Sequence, residues 1–300
     1  SILSSLPFQS LLWWALLFAA SQASDRPGNV RIADVQIGFG GAYKLGAWTP
    51  VWVTIEGGSA PQQVDLELCV PDGDGVLTRF IQRESERIAI PAGGSLTLLR
   101  YLKMGRANGE LTVRLAGDES AGATRVFAAN ERPVPLPAGS DLIVAFGPSV
   151  GIREALPRRA ASADAYRAVF QANEASQLPD DWLGYESVDA LILTTSDWEQ
   201  VESLTDRQCE AIREWVRMGG RLLLCAGSRG AQVFAAGSRL AEFAPGSLVA
   251  VIALRNASAL ETFMGSTQRL DATTGNAARA EIKMTLLRDV RGRVEVGDTG

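Results

Sequence analysis

The chain has 300 residues, 46% of them hydrophobic, with 29 Lys and Arg against 34 Asp and Glu, a net charge of −5 and no histidine. Such hydrophobic content belongs to a folded protein, and the scattered basic residues form no cationic cluster, so nucleic acid is not expected as a partner. Without an imidazole the chain cannot assemble a Ser-His or Cys-His nucleophilic pair and lacks a common zinc ligand, so no metal site or cofactor is expected.

The first 24 residues carry no charge, and Leu11 to Ala20 form one short apolar run. Ten residues at about 1.5 Å each fall well short of a hydrocarbon layer roughly 30 Å thick. Ser21, Gln22 and Ala23 supply the small residues a signal peptidase reads, ahead of a polar start at Ser24-Asp25-Arg26-Pro27. Residues 1–23 therefore read as a secretory signal peptide, and the protein is expected to be exported, periplasmic or on the extracytoplasmic face of a membrane. A stub of buried helix is the alternative. The chain opens at Ser1 without a methionine or a basic leader and closes at Gly297-Asp298-Thr299-Gly300, so a fragment at both ends is expected.

Residues 28–131 alternate apolar and polar positions in segment after segment, the period of a strand with one covered face. Val35, Ile37 and Phe39 begin the pattern; Val51, Val53 and Ile55, then Val64, Leu66 and Leu68, and later Leu111, Val113 and Leu115 repeat it. Apolar stretches at Ile88–Ile90 and Leu96–Leu102 add to them, and Gly-rich clusters at 56–59, 71–75, 91–94 and 106–109 mark turns. Roughly eight short strands at this spacing predict an immunoglobulin-like β-sandwich. Gly38-Phe39-Gly40-Gly41 lacks the lysine and the strand-to-helix setting of a phosphate loop and reads as a tight hairpin turn. Trp48 and Trp52 fall on the face opposite Val51 and Val53, where they either pack under a loop or neighbouring domain or stack a sugar.

Residues 132–139, with Pro133, Pro135 and Pro137, read as a stiff connector. Beyond it, in residues 140–300, Leu142–Phe146, Ala190–Leu193 and Leu222–Cys225 are unbroken apolar runs, as expected of parallel strands covered on both faces. Ala168-Val169-Phe170 and Leu248–Leu254 are candidate further strands of that sheet. Thr205 with Gln208 forms a capping box, Ile212, Trp215 and Val216 a buried stripe, and Gly219-Gly220 a helix stop. Strand, helix, strand in this rhythm predicts a doubly wound, flavodoxin-like α/β sheet.

Ligands of such sheets gather outside the carboxyl ends of the strands. Three loops fall there: 147–151, 195–197 and 226–230. Ser149, Gly151, Ser196, Gly227 and Ser228 are the candidate ligand-binding residues, though ordinary strand-to-helix turns use the same residue types. Cys69, Cys209 and Cys225 are an odd number for an exported chain and read mainly as isolated buried thiols, with a Cys209–Cys225 bridge left open.

The stretch Leu178-Pro179-Asp180-Asp181-Trp182-Leu183-Gly184-Tyr185, continuing through Val188-Asp189-Ala190-Leu191-Ile192-Leu193 and then from Leu204-Thr205 to Gly219-Gly220-Arg221-Leu222-Leu223-Leu224, resembles the class I glutamine amidotransferase-like domain of uncharacterised bacterial envelope proteins. In those proteins the domain often follows a sandwich with a segment similar to Tyr43-Lys44-Leu45-Gly46-Ala47-Trp48-Thr49-Pro50-Val51-Trp52-Val53-Thr54. Active members of the family carry a nucleophilic Cys in Gly-x-Cys-x-Gly, served by a downstream His and Glu. Here Cys225 holds the matching strand end with Gly227 after it, Leu223 replaces the first glycine, and no histidine exists. The resemblance thus implies the fold without the activity. It also implies envelope protein partners and a membrane anchor beyond Gly300.

The expected function is accordingly a non-catalytic, exported or membrane-anchored envelope protein with a binding or assembly role. Two alternatives stand beside it. One is a Cys-dependent hydrolase or amidotransferase-like enzyme in which Cys225 works with a carboxylate, Asp197 or Glu199. The other is a carbohydrate-binding module that uses Trp48 and Trp52.

Overall fold

A computed structural model describes residues 30–81, 87–117, 123–155, 167–254, 262 and 282–291. The expected signal peptide, residues 1–23, lies outside the described residues. The described fold is mostly β-sheet with few helices, and it contains antiparallel sheets and one parallel sheet. Among the described residues no helix is long and apolar enough to cross a membrane. The chain divides into two compact units, residues 1–36 with 51–132, and residues 37–50 with 133–300.

The first unit carries strands β1 (Arg31–Ile37), β2 (Trp48–Glu56), β3 (Gln62–Pro71), β4 (Leu77–Ile81), β5 (Ile88–Ile90), β6 (Ser95–Lys103), β7 (Leu111–Gly117) and β8 (Thr124–Phe127). They form a sheet of order β1-β2-β6 and a sheet of order β4-β3-β7-β8, in which β5 also pairs with β3. Alternation decides which face is covered. Val51, Val53 and Ile55 of β2 are buried, as are Val64, Leu66 and Leu68 of β3 and Leu111, Val113 and Leu115 of β7. Antiparallel register sets Leu66 against Leu115 and Leu68 against Val113, so the β3 and β7 rows form one apolar surface. On the other face of β2, Thr54 and Thr97 share a hydroxyl hydrogen bond of 3.0 Å with β6. Two strands escaped the alternation pattern. β4 leaves Leu77 and Ile81 exposed, and β8 is only four residues long.

The hairpin between β1 and β2 turns as the glycines require. Phe39 and Ala42 exchange backbone hydrogen bonds of 2.9 and 3.0 Å, and the two residues between them, Gly40 and Gly41, have φ of 59° and 90°. Positive φ at both central positions is the signature of a type I′ turn, which matches the twist of the flanking strands. The turn carries Phe39 and Tyr43 into the second unit. Phe39 is buried, with its ring centroid 5.7 Å from that of Phe170 and 6.5 Å from that of Tyr185. Tyr43 is buried as well; its hydroxyl donates to the Pro133 carbonyl and its own carbonyl accepts from Leu136 N–H. Within residues 132–139, Arg132, Pro135 and Leu136 are buried, whereas Val134 is exposed. Arg132 closes the first unit by donating to the carbonyls of Arg106 and Ala107, and Leu136 is buried in the second.

In the second unit, β9 (Asp141–Phe146), β10 (Arg167–Ala172), β11 (Ala190–Thr194) and β12 (Leu222–Cys225) form a parallel sheet of order β10-β9-β11-β12. In chain order that is 2-1-3-4. One face, with Leu142, Val144, Phe146, Leu191 and Leu193, is fully buried. The other holds Ile143, Ala145 and Ile192, with Ile152, Val169, Ala190 and Cys225 packed against them. Of the helices, α1 (Ile152–Ala155), α2 (Trp198–Glu202) and α4 (Gly230–Val233) are short and α3 (Asp206–Arg217) is long.

The ends of α3 follow from its sequence. Gln208 N–H donates to Thr205 Oγ1, and Thr205 N–H returns a bond to Gln208 Oε1. Gln208 is itself buried and donates onward to the carbonyls of Ala175 and Leu178, which fastens the helix start to a neighbouring turn. At the other end Gly219, at φ 103°, donates to Val216 and Gly220 to Trp215, which is a Schellman closure. Cys209, Ala211, Ile212 and Trp215 are buried along this helix, whereas Val216 is half-buried.

Residues 248–254 do not join the parallel sheet. They lie in β13 (Ser247–Leu254), which pairs antiparallel with β14 (Ile282–Arg288) in a separate two-stranded sheet. Val249 and Ile252 are exposed, so this strand is not covered on both faces as β9 and β11 are.

Candidate functional site

Parallel register brings the carboxyl ends of β9, β11 and β12 to one edge, so the three predicted loops do share a crest. Their polar groups are largely occupied in holding the loops together. Thr194, at the end of β11, is buried and its hydroxyl lies 3.2 and 2.9 Å from the carbonyls of Phe146 and Pro148, which fixes the first loop. Thr195 points its hydroxyl at Cys225 O and Ala226 O, at 3.0 and 3.2 Å, and fixes the third. Gln171 of β10 donates to Gly147 O at 2.6 Å. At Gly147, with φ 97°, a Cβ would lie 2.3 Å from both Thr194 O and Thr194 Oγ1, so only glycine lets the loop approach β11 this closely.

Each predicted site residue can be placed. Ser149 is exposed and its Oγ accepts a long hydrogen bond, 3.4 Å, from Gly151 N–H. Ser196 and Ser228 are exposed. The Gly227 carbonyl accepts from Thr285 of β14 at 2.9 Å, and Gly230 sits so close to Thr285 that a Cβ would lie 2.0 Å from its hydroxyl. Thr285 of β14 thus contacts the third loop at Gly227 and Gly230, while Ser228 stays exposed. Asp197 caps α2, accepting from Gln200 N–H at 3.3 Å, and Glu199 lies in the first turn of that helix. Ser149, Gly151, Ser196, Gly227 and Ser228 share the crest, yet neither cleft described in this unit is lined by any of them. Among the described residues no cluster of His, Cys, Asp and Glu could hold a metal ion.

All three cysteines are free thiols. Cys225 is half-buried against Ile143, Ala145 and Ile192, and its sulfur makes no hydrogen bond among the described residues. Burial alone pushes its pKa up, with no charged neighbour to offset the effect. Cys209 is buried in α3 and likewise raised, chiefly by desolvation. Cys69 is pushed up to about 11 by burial and by the hydrogen bond it donates to Glu67 Oε1 at 3.1 Å. Glu67 in turn is lowered, first by its hydrogen bond from Arg79.

Residues of the 43–50 stretch meet the residues before β11 inside the second unit. Lys44 pairs with Asp189 Oδ2 at 2.5 Å, the same carboxylate accepts Leu142 N–H at 2.6 Å, and Trp48 N–H donates to Glu186 Oε2 at 2.5 Å. Trp48 and Trp52 are each half-buried, and both take part in further contacts. Sequence reasoning did not group the residues around Glu186 and Asp189, because Trp182, Trp215 of α3 and Arg221 before β12 stand far apart in the chain.

Comparison with known proteins adds little. Residues 31–134 match the model of a domain of unknown function, DUF8726, a span that takes in β1 to β8. No curated protein matches the chain. Among solved structures, the sporulation control protein Spo0M of Bacillus subtilis is 15% identical over 36% of this chain, with a TM-score of 0.25, and the matched part is 49% of that protein. The archaeal flagellum of Methanospirillum hungatei strain JF1 is 10% identical over 34% of this chain and 65% of its own, with a TM-score of 0.27. The C-terminal domain of wzt is 12% identical over 37% of this chain and 75% of its own, with a TM-score of 0.29. Likenesses this slight bear on neither fold nor function.

Proposed function

We propose that this protein is a non-catalytic, exported binding or assembly protein of the bacterial envelope. In this reading an immunoglobulin-like sandwich accompanies a degenerate class I glutamine amidotransferase-like domain, and its partners are envelope proteins. The 2-1-3-4 strand order supports the second half of that reading, because it begins the flavodoxin-like order 2-1-3-4-5.

One observation carries the non-catalytic role. At the strand end where an amidotransferase holds its nucleophile, the Cys225 thiol is kept protonated by burial and has no proton acceptor bonded to it among the described residues. Asp197, the carboxylate proposed from the sequence in place of the missing histidine, instead accepts Gln200 N–H at the start of α2. A thiol in that state is a poor nucleophile at neutral pH.

Iodoacetamide alkylation of the full chain carrying Cys69→Ala and Cys209→Ala tests this. Cys225 should react more slowly at pH 7 than free cysteine. A rate above that of free cysteine, lost in Asp197→Asn, would establish an activated thiolate and replace this reading with the enzyme.

A further inference from the structure

At the edge of the parallel sheet opposite the crest, a cleft of about 340 Å³ opens beside the residues that precede β11 and β12. Trp182, Trp215 and Met218 supply apolar walls, and Glu186, Asp189 and Arg221 supply charged groups. A concavity of a few hundred Å³ with aromatic walls and a small number of convergent polar groups is the general form of a small-molecule site.

The state of each polar group narrows what can enter. Glu186 already accepts Trp48 N–H, and Asp189 already accepts both Lys44 and Leu142 N–H. A cation would therefore find both carboxylates engaged and would face the Arg221 guanidinium as well. Arg221 is exposed, and its side chain makes no ion pair or hydrogen bond among the described residues. Its donors are uncommitted. An anion would satisfy them but would lie beside the Glu186 carboxylate, while Asp189 is already paired with Lys44. The ligand that fits both signs is neutral, carries adjacent groups that donate and accept, and offers an apolar ring face to indole.

We propose that this cleft binds a small neutral saccharide, with a pyranose face against Trp182 and neighbouring hydroxyls shared between Arg221 and Glu186. Trp182 is half-buried on the cleft wall, and Trp215 packs against Gly220, where a Cβ would lie 2.2 Å from the indole. This inference rests on the binding role proposed above and gives it a ligand class. The two fail separately, because a reactive Cys225 would end the non-catalytic reading without changing the saccharide titrations.

The test is saturation-transfer-difference NMR with calorimetric titration of the full chain against maltose, cellobiose, N-acetylglucosamine and chitobiose. At least one should bind saturably. Arg221→Ala should weaken that binding about tenfold, the worth of one charge-assisted hydrogen bond, and Trp182→Ala should abolish it. Because the Arg221 side chain makes no ion pair or hydrogen bond among the described residues, its variant keeps the test decisive even if Trp182→Ala fails to fold. Trp52→Ala should bind as the parent does. Absence of saturable binding across the four sugars would overturn the proposal. So would binding that survives Arg221→Ala unchanged, or tetramethylammonium or benzoate saturating the cleft in their place.

Discussion

Phe39→Ala is the sharpest perturbation the structure offers, because one side chain separates the two units as folding entities. Phe39 leaves the first unit at the end of β1 and is buried within the second, its ring near those of Phe170 and Tyr185. Truncating a buried phenylalanine costs about 4 kcal/mol in lost transfer and cavity terms, the middle of its usual range. With a slope of about 2 kcal/mol per molar urea, the midpoint of the second unit should fall by about 2 M. Hydrogen exchange read strand by strand is the assay. Protection should drop across β9, β10 and β11 and stay near the parent value in β3 and β7. Equal loss in β3 and β7, or a midpoint shift under about 0.5 M, would refute the assignment of this residue to the core of the second unit.

Three further outcomes follow from the geometry. Gly147→Ala should destabilise the second unit by more than 2 kcal/mol, since φ is 97° and the new Cβ meets Thr194, whereas Gly227→Ala, at φ 47° with open space around it, should cost only about 1 kcal/mol by thermal melting. In a double-mutant cycle, Lys44→Met and Asp189→Ala should couple by about 1 kcal/mol, with Asp189→Ala the costlier single change because it also removes the acceptor of Leu142 N–H. Stability of the first unit should fall as pH rises from 9.0 towards about 11, because the unfolded Cys69 thiol ionises at the lower value while the folded one stays protonated, and Cys69→Ala should flatten that decline in urea midpoints.

Strands were legible wherever one physical cause acted alone. Alternation located β2, β3 and β7 because each has one face in the core, and unbroken apolar runs located β9 and β11 because both of their faces are covered. β4 and β8 were missed for the same reason in reverse: they lie at the edges of their sheet, where Leu77, Ile81 and Val126 face water and no period is imposed. Leu248–Leu254 was taken for a covered strand because an apolar run does not reveal whether anything lies above it. The capping box at Thr205 and Gln208 and the turn at Gly40 and Gly41 were readable, since both are set by residues within a few positions of each other. Contacts across long separations were not. That Lys44 meets Asp189, or that Trp182 and Arg221 share a cleft, depends on topology, which no local pattern encodes. The crest loops were correctly gathered on one edge, but whether Thr194 and Thr195 spend their hydroxyls on loop carbonyls or offer them to a ligand is decided only by the angle at which the loops leave the strands.

The hairpin at residues 37–50 has a consequence for how such a protein can be divided. A cut at Pro133 looks natural on paper, but a fragment starting there would lack Phe39 and Tyr43 and would expose an empty slot beside Phe170 and Tyr185. The boundary that matters for inheritance and for engineering therefore runs through two places in the chain at once.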